Sequence, residues 1–324
     1  MTDYRFVTSI FGEKHLGMLL VNLYSIKKNA TSTPVSVFWQ EIDSDAIDDL
    51  KKAFPDVDFC KTDFDISSSK IKRISSKTLV WEHASKNIKN QNLCFFDVDM
   101  FVLKDIGHFF DKDFDVLFTD KNKELFPLNT GVILSKGENI RFFFSKWLEE
   151  TLKIINSKEL LKKAMSTDYP FGGADQMAFY NLVNYDRNKK EYEITLKDKK
   201  IKALAVPCSI LNETRSVEIS ENMHIIHYKG GWQMMLLEAR GFTKNRTKKD
   251  SWPMYVMYLK SYIEAITYLN SSTGKNYTIK SFNIHIPFYL DKKTLKENKF
   301  LYSIFVFVSF LKQIWDVIVF RVKS

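Results

Sequence analysis

Segments with the pattern of β-strands alternate with segments of helical periodicity along the first half of the chain. The apolar run at 4–10 is followed by apolar residues at helical spacing in LGMLLVNLYSIKK, and this order then repeats. Such alternation is typical of an α/β protein in which helices cover both faces of a mostly parallel sheet. It predicts strands at 4–10, 34–40, 57–64, 93–100, 114–119 and 128–136, and helices at 16–28, 43–54, 71–89 and 139–155.

One predicted strand ends in two carboxylates. LCFFDVDMFV, residues 93–102, runs from four apolar residues through Asp97 and Asp99 into a second apolar run. Residues i and i+2 of a strand point to the same side, so the two acids converge. Buried like charges are costly unless a cation neutralises them, and open α/β sheets bind ligands at this end of their strands. The pair therefore predicts a divalent-cation site, whereas the other Asp-x-Asp copies of the chain lack such apolar flanks.

Three later stretches place polar residues or glycines where predicted strands or helices begin or end. NTGVILSK begins with Asn129, and its Gly131 would let the backbone approach a ligand closely. In YPFGGADQMAFYNLV, Asp175 and Gln176 follow two glycines at a predicted helix start. MHIIHYKGG is a short strand that leads to His227, and imidazole suits an ion already held by two carboxylates. Each stretch also has an ordinary explanation: a strand-entry glycine, a helix cap or a structural histidine.

Composition limits the classes of protein to which these motifs can belong. Of the 324 residues, 45% are hydrophobic, enough for a large core in one domain or in one domain with an appendage. The three cysteines, Cys60, Cys94 and Cys208, lie far apart in apolar or strand-like runs. This spacing argues against a disulfide framework or a zinc cluster. The N-terminal residues lack the pattern of a secretory signal, so we expect a cytoplasmic protein.

The net charge of +9 comes from many lysines spread along the chain. A basic protein can bind nucleic acid, an anionic membrane or a phosphorylated ligand. The basic run KNRTKKD at 244–250 is most simply explained as a solvated loop. No zinc finger, RNP-type aromatic motif or basic heptad accompanies it, so we do not expect nucleic acid as a partner. The dinucleotide-binding fingerprint and the P-loop are missing as well.

Together these motifs resemble those of nucleotide-sugar-dependent glycosyltransferases with the A-type fold. The nearest group is the retaining family 8, which includes glycogenin and bacterial lipopolysaccharide galactosyltransferases. The resemblance covers about residues 4–235 and lies in the order of an Asp-x-Asp strand end, an Asn-x-Gly strand, an Asp-Gln pair and a His-x-x-Gly. These motifs are matched by Asp97–Asp99, Asn129–Gly131, Asp175–Gln176 and His227–Gly230, and Lys77 matches a basic residue on the helix before the acidic strand.

The resemblance implies an α/β fold: a single Rossmann-like A-type domain at 1–245 with a mixed, mostly parallel central sheet, and a C-terminal helical extension at 246–324. It implies metal-dependent transfer of a hexose from a nucleoside-diphosphate sugar, by expectation a UDP-sugar. The acceptor would be a hydroxyl of a glycan or glycolipid in surface polysaccharide or lipopolysaccharide synthesis, and the anomeric configuration would be retained. The cofactor would be Mn²⁺ or Mg²⁺, and a histidine ligand favours Mn²⁺.

The same resemblance assigns roles to individual residues. Asp97, Asp99 and His227 would hold the metal, and Asp175 and Gln176 would be the catalytic residues at the donor sugar. Thr8 and Ser9 would dock the nucleobase, and Lys229 would neutralise the leaving group. The full set of expected donor-binding residues is Thr8, Ser9, Lys77, Phe96, Asp97, Val98, Asn129, Thr130, Gly131, Lys229 and Gly230.

Two other functional classes stay open from the sequence. Phosphatases of the haloacid dehalogenase type also have an apolar strand that ends in Asp-x-Asp. Their motif lies on the first strand and is followed two residues later by Thr or Val, whereas this chain has Phe101 there and about three strands before it. A non-catalytic module on a membrane surface is the other alternative, and it would need no metal.

The C-terminal segment at about 298–322 is apolar but is not a clean membrane span. FLYSIFVFVSFL at 300–311 is followed by Lys312 and Asp316, each of which would cost about 2.5–3.5 kcal/mol at the bilayer centre. Four lysines at 292–299 precede it. This pattern favours helices that lie in a membrane interface, so we expect peripheral association with the inner face of an anionic membrane. Packing on the protein's own core or on a second subunit is the alternative.

Overall fold

A mixed eight-stranded sheet runs through the protein. The computed structural model describes residues 3–65, 76–89, 91–121, 123–124, 127–166, 173–214, 219–228 and 252–277. Within these residues the strands are β1 (Tyr4–Phe11), β2 (Val35–Gln40), β3 (Val57–Lys61), β4 (Asn92–Phe96), β5 (Met100–Val102), β6 (Val116–Asp120), β7 (Leu128–Ser135), β8 (Glu191–Leu196), β9 (Lys199–Pro207) and β10 (Ile225–His227).

The strand order across the main sheet is β3-β2-β1-β4-β7-β6-β9-β8. The first four of these strands are parallel to one another, and β6 is parallel to β9. Strand β7 runs antiparallel to both β4 and β6, and β8 runs antiparallel to β9. The predicted α/β fold with a mixed, mostly parallel sheet is therefore confirmed. Because β1 and β4 are parallel, their carboxyl ends meet at one edge of the sheet.

Helices cover both faces of the sheet. In the part of the chain that the structure describes they are α1 (Leu16–Asn29), α2 (Ser44–Ala53), α3 (Lys77–Asn87), α4 (Ile140–Asn156), α5 (Lys158–Met165), α6 (Ala174–Val183), α7 (Cys208–Leu211) and α8 (Trp252–Thr273). Apolar residues of α1, α2 and α8 form one buried cluster with the sheet, and those of α3, α4 and α6 form another on the opposite face. The result is a three-layer arrangement.

Local sequence explains several of these elements. Strand β7 is buried along its whole length, which agrees with its apolar run VIL at 132–134 and with its position inside the sheet. Strand β8 alternates between exposed and buried residues, as expected for an edge strand. Helix α2 begins where the side chain of Asp43 accepts a hydrogen bond from the backbone N–H of Asp45, at 3.0 Å. Asp43 is therefore the N-cap of this helix.

The structure divides one predicted strand into two. Strand β4 ends at Phe96, the chain turns at Asp97–Asp99, and β5 then leaves the main sheet to pair with β10. The second edge of β5 is satisfied by α1: Asn22 Nδ2 donates to the Met100 carbonyl at 3.0 Å, and the Val102 N–H donates to Ser25 Oγ at 3.0 Å. These polar side chains allow a short strand to be buried without strand neighbours on both sides.

The described part of the predicted C-terminal extension is helix α8. It packs against α1 and α2, and its Ile266 and Leu269 belong to the same buried cluster as those helices. No helix among the described residues is both long enough and apolar enough to cross a bilayer. The apolar segment at 298–322 and the first part of the helix predicted at 71–89 lie outside the described residues. The division at residue 245 stays a prediction.

Candidate active site

The acidic turn after β4 is anchored on both sides by neighbouring backbone. The N–H of Asp97 donates to the Gly131 carbonyl of β7 at 2.9 Å, and the Asp99 carbonyl accepts from the N–H of Tyr228 at 2.9 Å. Tyr228 directly follows β10, which carries His227 at its end. The pairing of β10 with β5 therefore brings a histidine from late in the chain to the two acids.

Asp97, Asp99 and His227 each offer one ligand atom, and these three atoms all lie within 4.8 Å of one another. His227 Nε2 is 3.2 Å from Asp99 Oδ1 and 3.9 Å from Asp97 Oδ2. The imidazole is buried, and the two carboxylates are half-buried. Two carboxylate oxygens and an imidazole nitrogen at this spacing fit the ligand preferences of Mn²⁺ and Mg²⁺.

Lys77 links the acidic turn to the start of α6. Its ammonium nitrogen lies 3.3 Å from Asp97 Oδ1, 3.2 Å from Asp175 Oδ2 and 3.3 Å from the Thr130 carbonyl oxygen. Its position is set by α3, where Trp81 follows one turn later and has its ring centroid 5.3 Å from the same nitrogen. Lys77 is thus a buried cation that is shared between two carboxylates.

Burial and neighbouring charges act in opposite directions on these groups. Burial raises the pKa of the Asp97 carboxyl, and the charge of Lys77, together with that of His227 when its ring is protonated, offsets this rise only in part. Burial lowers the pKa of Lys77, but the charges of Asp97 and Asp175 outweigh it and raise the pKa above its ordinary value. Lys77 is therefore protonated at neutral pH.

The Asp-Gln pair lies in the first turn of α6. The Asp175 carboxylate accepts a hydrogen bond from Thr130 Oγ1 at 2.9 Å, and its backbone carbonyl accepts one from Trp147 Nε1 at 2.8 Å. Asp175 is buried, and Gln176 beside it is half-buried. The tryptophan of α4 and the threonine of β7 thus fix the Asp175 backbone and side chain separately.

Strand β7 passes Asp97 and His227 at very short range. A Cβ atom on Gly131 would lie 2.6 Å from Met100 Cε, 2.9 Å from His227 Cε1 and 3.0 Å from Asp97 Oδ2. Asn129, two residues earlier, accepts a hydrogen bond from the Gly131 N–H through its Oδ1 atom at 3.1 Å. A side chain at position 131 would therefore occupy the space beside the two ligands.

The predicted donor-binding residues on β1 and around β4 differ in their exposure. Thr8 is fully buried, and its hydroxyl makes no hydrogen bond within the described residues, whereas Ser9 is half-buried. Phe96 is fully buried, and its ring lies 5.1 Å from the Phe6 ring in the core. Val98 is half-buried and packs on the hydrophobic core. Lys229 and Gly230 lie outside the described residues.

Two buried residues that the sequence did not point to lie behind His227, outside the set of possible metal ligands. Asn212, which follows α7, and Thr119 of β6 are both fully buried and join a hydrogen-bond network with Asn129 and His227. A single asparagine after a short helix gives no distinctive sequence signal. Trp81, in contrast, stands four residues after Lys77, and this i, i+4 spacing could have indicated a cation–π pair on α3.

Comparison with known proteins gives information on the fold. No protein-family model matches the sequence, and no curated protein matches it in sequence. The apo form of the glycosyltransferase GlyE from Streptococcus pneumoniae has a TM-score of 0.52 at 11% identity, over 84% of this chain and 63% of that chain. A second GlyE structure gives 0.52 at 10% identity, over 83% and 63%. This chain thus spans less than two thirds of the GlyE chain.

A galactosyltransferase LgtC solved in complex with donor and acceptor sugar analogues has a TM-score of 0.48 at 12% identity, over 80% of this chain and 95% of that chain. At sequence identities this low, structural similarity gives information on the fold alone. The evidence on the fold comes from the two GlyE superpositions. The predicted resemblance to A-type nucleotide-sugar glycosyltransferases is confirmed at that level. The chain has the A-type glycosyltransferase fold.

Proposed function

We propose that this protein is a metal-dependent glycosyltransferase that moves a hexose from a nucleoside-diphosphate sugar to a hydroxyl group of a glycan or glycolipid. The observation that carries the proposal is the convergence of Asp97, Asp99 and His227 at the carboxyl edge of a sheet with the A-type glycosyltransferase fold. This edge is where open α/β sheets bind their ligands. From the resemblance of the motifs to family 8 we further propose that the donor is a UDP-sugar and that the product belongs to a surface polysaccharide or lipopolysaccharide.

The chemistry requires stabilisation of the negative charge that develops on the departing diphosphate. A divalent cation, Mn²⁺ or Mg²⁺, held by Asp97, Asp99 and His227 would supply this as a Lewis acid. Lys77 would place a second positive charge beside the donor, since its nitrogen lies within 3.3 Å of Asp97 Oδ1. The backbone at 130–131 would face the donor at close range because position 131 has no side chain.

The anomeric configuration is proposed to be retained. An inverting transfer needs a carboxylate that is free to take the proton of the acceptor hydroxyl. The Asp175 carboxylate is engaged with Lys77 and Thr130, which makes it a poor general base. We assign the proton instead to the departing phosphate. Gln176, half-buried beside Asp175, would contribute an amide dipole near the reacting carbon.

The deciding experiment is an assay of the full-length protein for its released product. The metal-free protein is incubated with a panel of nucleoside-diphosphate sugars, with and without Mn²⁺ or Mg²⁺, and both nucleoside diphosphate and inorganic phosphate are measured. We expect metal-dependent release of nucleoside diphosphate. Release of inorganic phosphate alone would indicate a phosphatase of the haloacid dehalogenase type, and release of neither would favour a binding module.

Matched variants connect the activity to the site. Asp97→Asn and Asp99→Asn should each abolish metal-dependent release while the protein stays folded, because replacing a half-buried carboxylate by a neutral isostere does not remove packing. Asp113→Asn is the control: it also belongs to an Asp-x-Asp repeat, but its side chain is exposed and paired with Lys202. Full activity of both site variants would disprove the metal-site assignment.

A further inference from the structure

The imidazole of His227 is held by a buried amide on the side away from the two acids. Its Nδ1 atom lies 2.9 Å from Asn212 Oδ1, while Nε2 points at the acidic turn, 3.2 Å from Asp99 Oδ1. An amide oxygen can only accept a hydrogen bond. The carboxylate oxygens that face Nε2 also only accept, and the amide nitrogen Asn129 Nδ2 lies 3.3 Å from Nδ1, farther than Asn212 Oδ1. In the ring state that can bind a cation, the lone pair of Nε2 is directed towards Asp97 and Asp99, so the single ring proton is on Nδ1 and is donated to Asn212.

This assignment depends on which atom of the Asn212 amide is the oxygen, and the surrounding hydrogen bonds decide it. Asn212 Nδ2 lies 3.1 Å from the Asn129 carbonyl oxygen and 2.8 Å from Thr119 Oγ1. The Thr119 hydroxyl donates its own proton to that same carbonyl at 2.7 Å, so it accepts from Asn212. A flipped amide would put Asn212 Oδ1 against the Asn129 carbonyl oxygen, so that two acceptors would face each other. Asn129 Nδ2 adds a second hydrogen bond to Asn212 Oδ1 at 3.1 Å, which again requires an oxygen there.

The backbone fixes Asn212 at this place as well. Its N–H donates to the Cys208 carbonyl at 2.8 Å, which closes the short helix α7. The next residue, Glu213, pairs with β10: its carbonyl accepts from the His227 N–H at 2.8 Å, and its N–H donates to the Ile225 carbonyl at 3.1 Å. The histidine and the asparagine that orients it are therefore carried by two backbone segments that are bonded to each other.

We infer that Asn212 is a positioning residue that holds His227 in the tautomer able to bind a divalent cation. Without this acceptor the ring can carry its proton on Nε2, where an N–H would donate to Asp99 and close the site to a cation. The inference rests on the proposed function only in that His227 is taken to be a metal ligand. The tautomer itself is a property of the metal-free protein and can be measured independently.

The test uses three variants of the full chain. Asn212→Leu keeps the approximate volume but removes the acceptor. Asn212→Asp keeps an acceptor for the Nδ1 proton, and Thr119→Val removes a partner of Asn212 Nδ2 while leaving Asn212 Oδ1 beside the histidine. All four proteins are labelled with ¹⁵N-histidine, and the His227 signal, assigned with His227→Gln, is recorded in long-range ¹H–¹⁵N spectra at about pH 8.5, above the usual histidine pKa.

We expect the Nδ1–H tautomer in the unaltered protein, in Asn212→Asp and in Thr119→Val, and loss of that tautomer in Asn212→Leu. The affinity for Mn²⁺ alone is then measured by the EPR signal of free Mn²⁺. It should fall about 10–100-fold in Asn212→Leu, the range found when a partner of a metal-bound histidine is removed. The Mn²⁺ affinity of Asn212→Asp should be closer to that of the unaltered protein than to that of Asn212→Leu. Thr119→Val should bind Mn²⁺ like the unaltered protein even though it loses stability.

The outcomes separate this inference from the proposed function. An Nε2–H tautomer in the unaltered protein overturns the inference, whether or not Mn²⁺ binds. Equal losses of Mn²⁺ affinity in Thr119→Val and Asn212→Leu also overturn it, since the effect would then follow stability alone. The expected tautomers together with strong Mn²⁺ binding but no release of nucleoside diphosphate support the role of Asn212 and disprove the proposed transfer. Nδ1–H in the unaltered protein with no Mn²⁺ binding at all overturns the metal-positioning role.

Discussion

The ammonium nitrogen of Lys77 lies 3.2 Å from Asp175 Oδ2. This ion pair joins α3, which precedes β4 in the chain, to α6, which follows β7. The same nitrogen contacts Asp97, so a single cation is shared between an acid of the candidate metal site and the acid at the start of α6. Removing it would leave two carboxylates in a buried site without a protein cation between them.

We expect Lys77→Met to lower the free energy of unfolding by about 3 kcal/mol, because breaking a buried ion pair on one side leaves uncompensated charge. Transfer activity should fall as well, since the donor phosphates lose a cation. Urea unfolding and the nucleoside diphosphate assay measure the two effects. Lys86→Met is the control, because Lys86 is on the same helix but is exposed and paired with Glu82. Equal stability of the two variants would contradict the role given to Lys77.

Gly131→Ala should damage the site directly. The added methyl group would stand 2.9 Å from His227 Cε1 and 3.0 Å from Asp97 Oδ2, so at least one ligand has to move. Overpacking of this kind costs about 1–3 kcal/mol in stability, and we expect Mn²⁺ affinity to fall with it. Gly107→Ala is the comparison: its Cβ would also approach a carboxylate oxygen, of Asp105, to 3.0 Å, but outside the candidate site. If both variants keep their Mn²⁺ affinity, the close approach at 131 is irrelevant to the metal.

The buried carboxylate of Asp49 predicts a pH-dependent link between α2 and the residues after α8. Hydrogen bonds from Lys275 and Tyr277 hold the pKa of Asp49 below its ordinary value. The stability gained from a lowered acid pKa is present above the unfolded-state pKa of about 3.9 and is lost as the pH falls through the folded-state pKa.

Asp49→Asn should therefore destabilise the protein at pH 7 by about 1–2 kcal/mol. This is the range for hydrogen bonds to a charged acceptor whose donor groups are partly exposed to solvent. The difference from the unaltered protein should shrink as the pH is lowered from 5 towards about 3, as urea unfolding at several pH values can show. Asp48→Asn, at an exposed position where the carboxylate pairs with Lys51, should have little effect at any pH. A constant difference across the pH range would refute the link.

The C-terminal segment is the subject of a separate prediction that rests on sequence alone. Deleting residues 292–324 should release the protein from vesicles that contain anionic lipid but preserve hydrolysis of the nucleotide sugar. The reason is that the lysines and the apolar run of this segment supply the interfacial affinity. Vesicle co-sedimentation at low and high salt measures the release. A truncated chain that unfolds, beside an intact chain that ignores vesicles, would assign the segment to the protein core instead.

Much of the fold follows from local sequence because periodicity is a property of neighbouring residues. The apolar runs that became β1, β2, β4 and β7, and the helical spacing of α1 and α2, are visible without any knowledge of the rest of the chain. The hairpin of β8 and β9 escaped prediction. The run of lysines and glutamates in EYEITLKDKKIK is the composition of an edge strand, in which only alternate residues are buried.

The candidate site also has one part that could be located from the sequence and another that only the structure shows. Its acidic half, Asp97 and Asp99, could be located from the apolar residues on both sides of it. The tertiary structure alone shows that β5 leaves the main sheet to pair with β10 and that Asn212 lies behind the His227 ring. These contacts join segments that are distant in the chain, and they form because buried polar groups must find partners wherever packing brings them. A linear pattern contains no record of that requirement, so the sequence determined the strands and the acids, and packing decided which residues surround them.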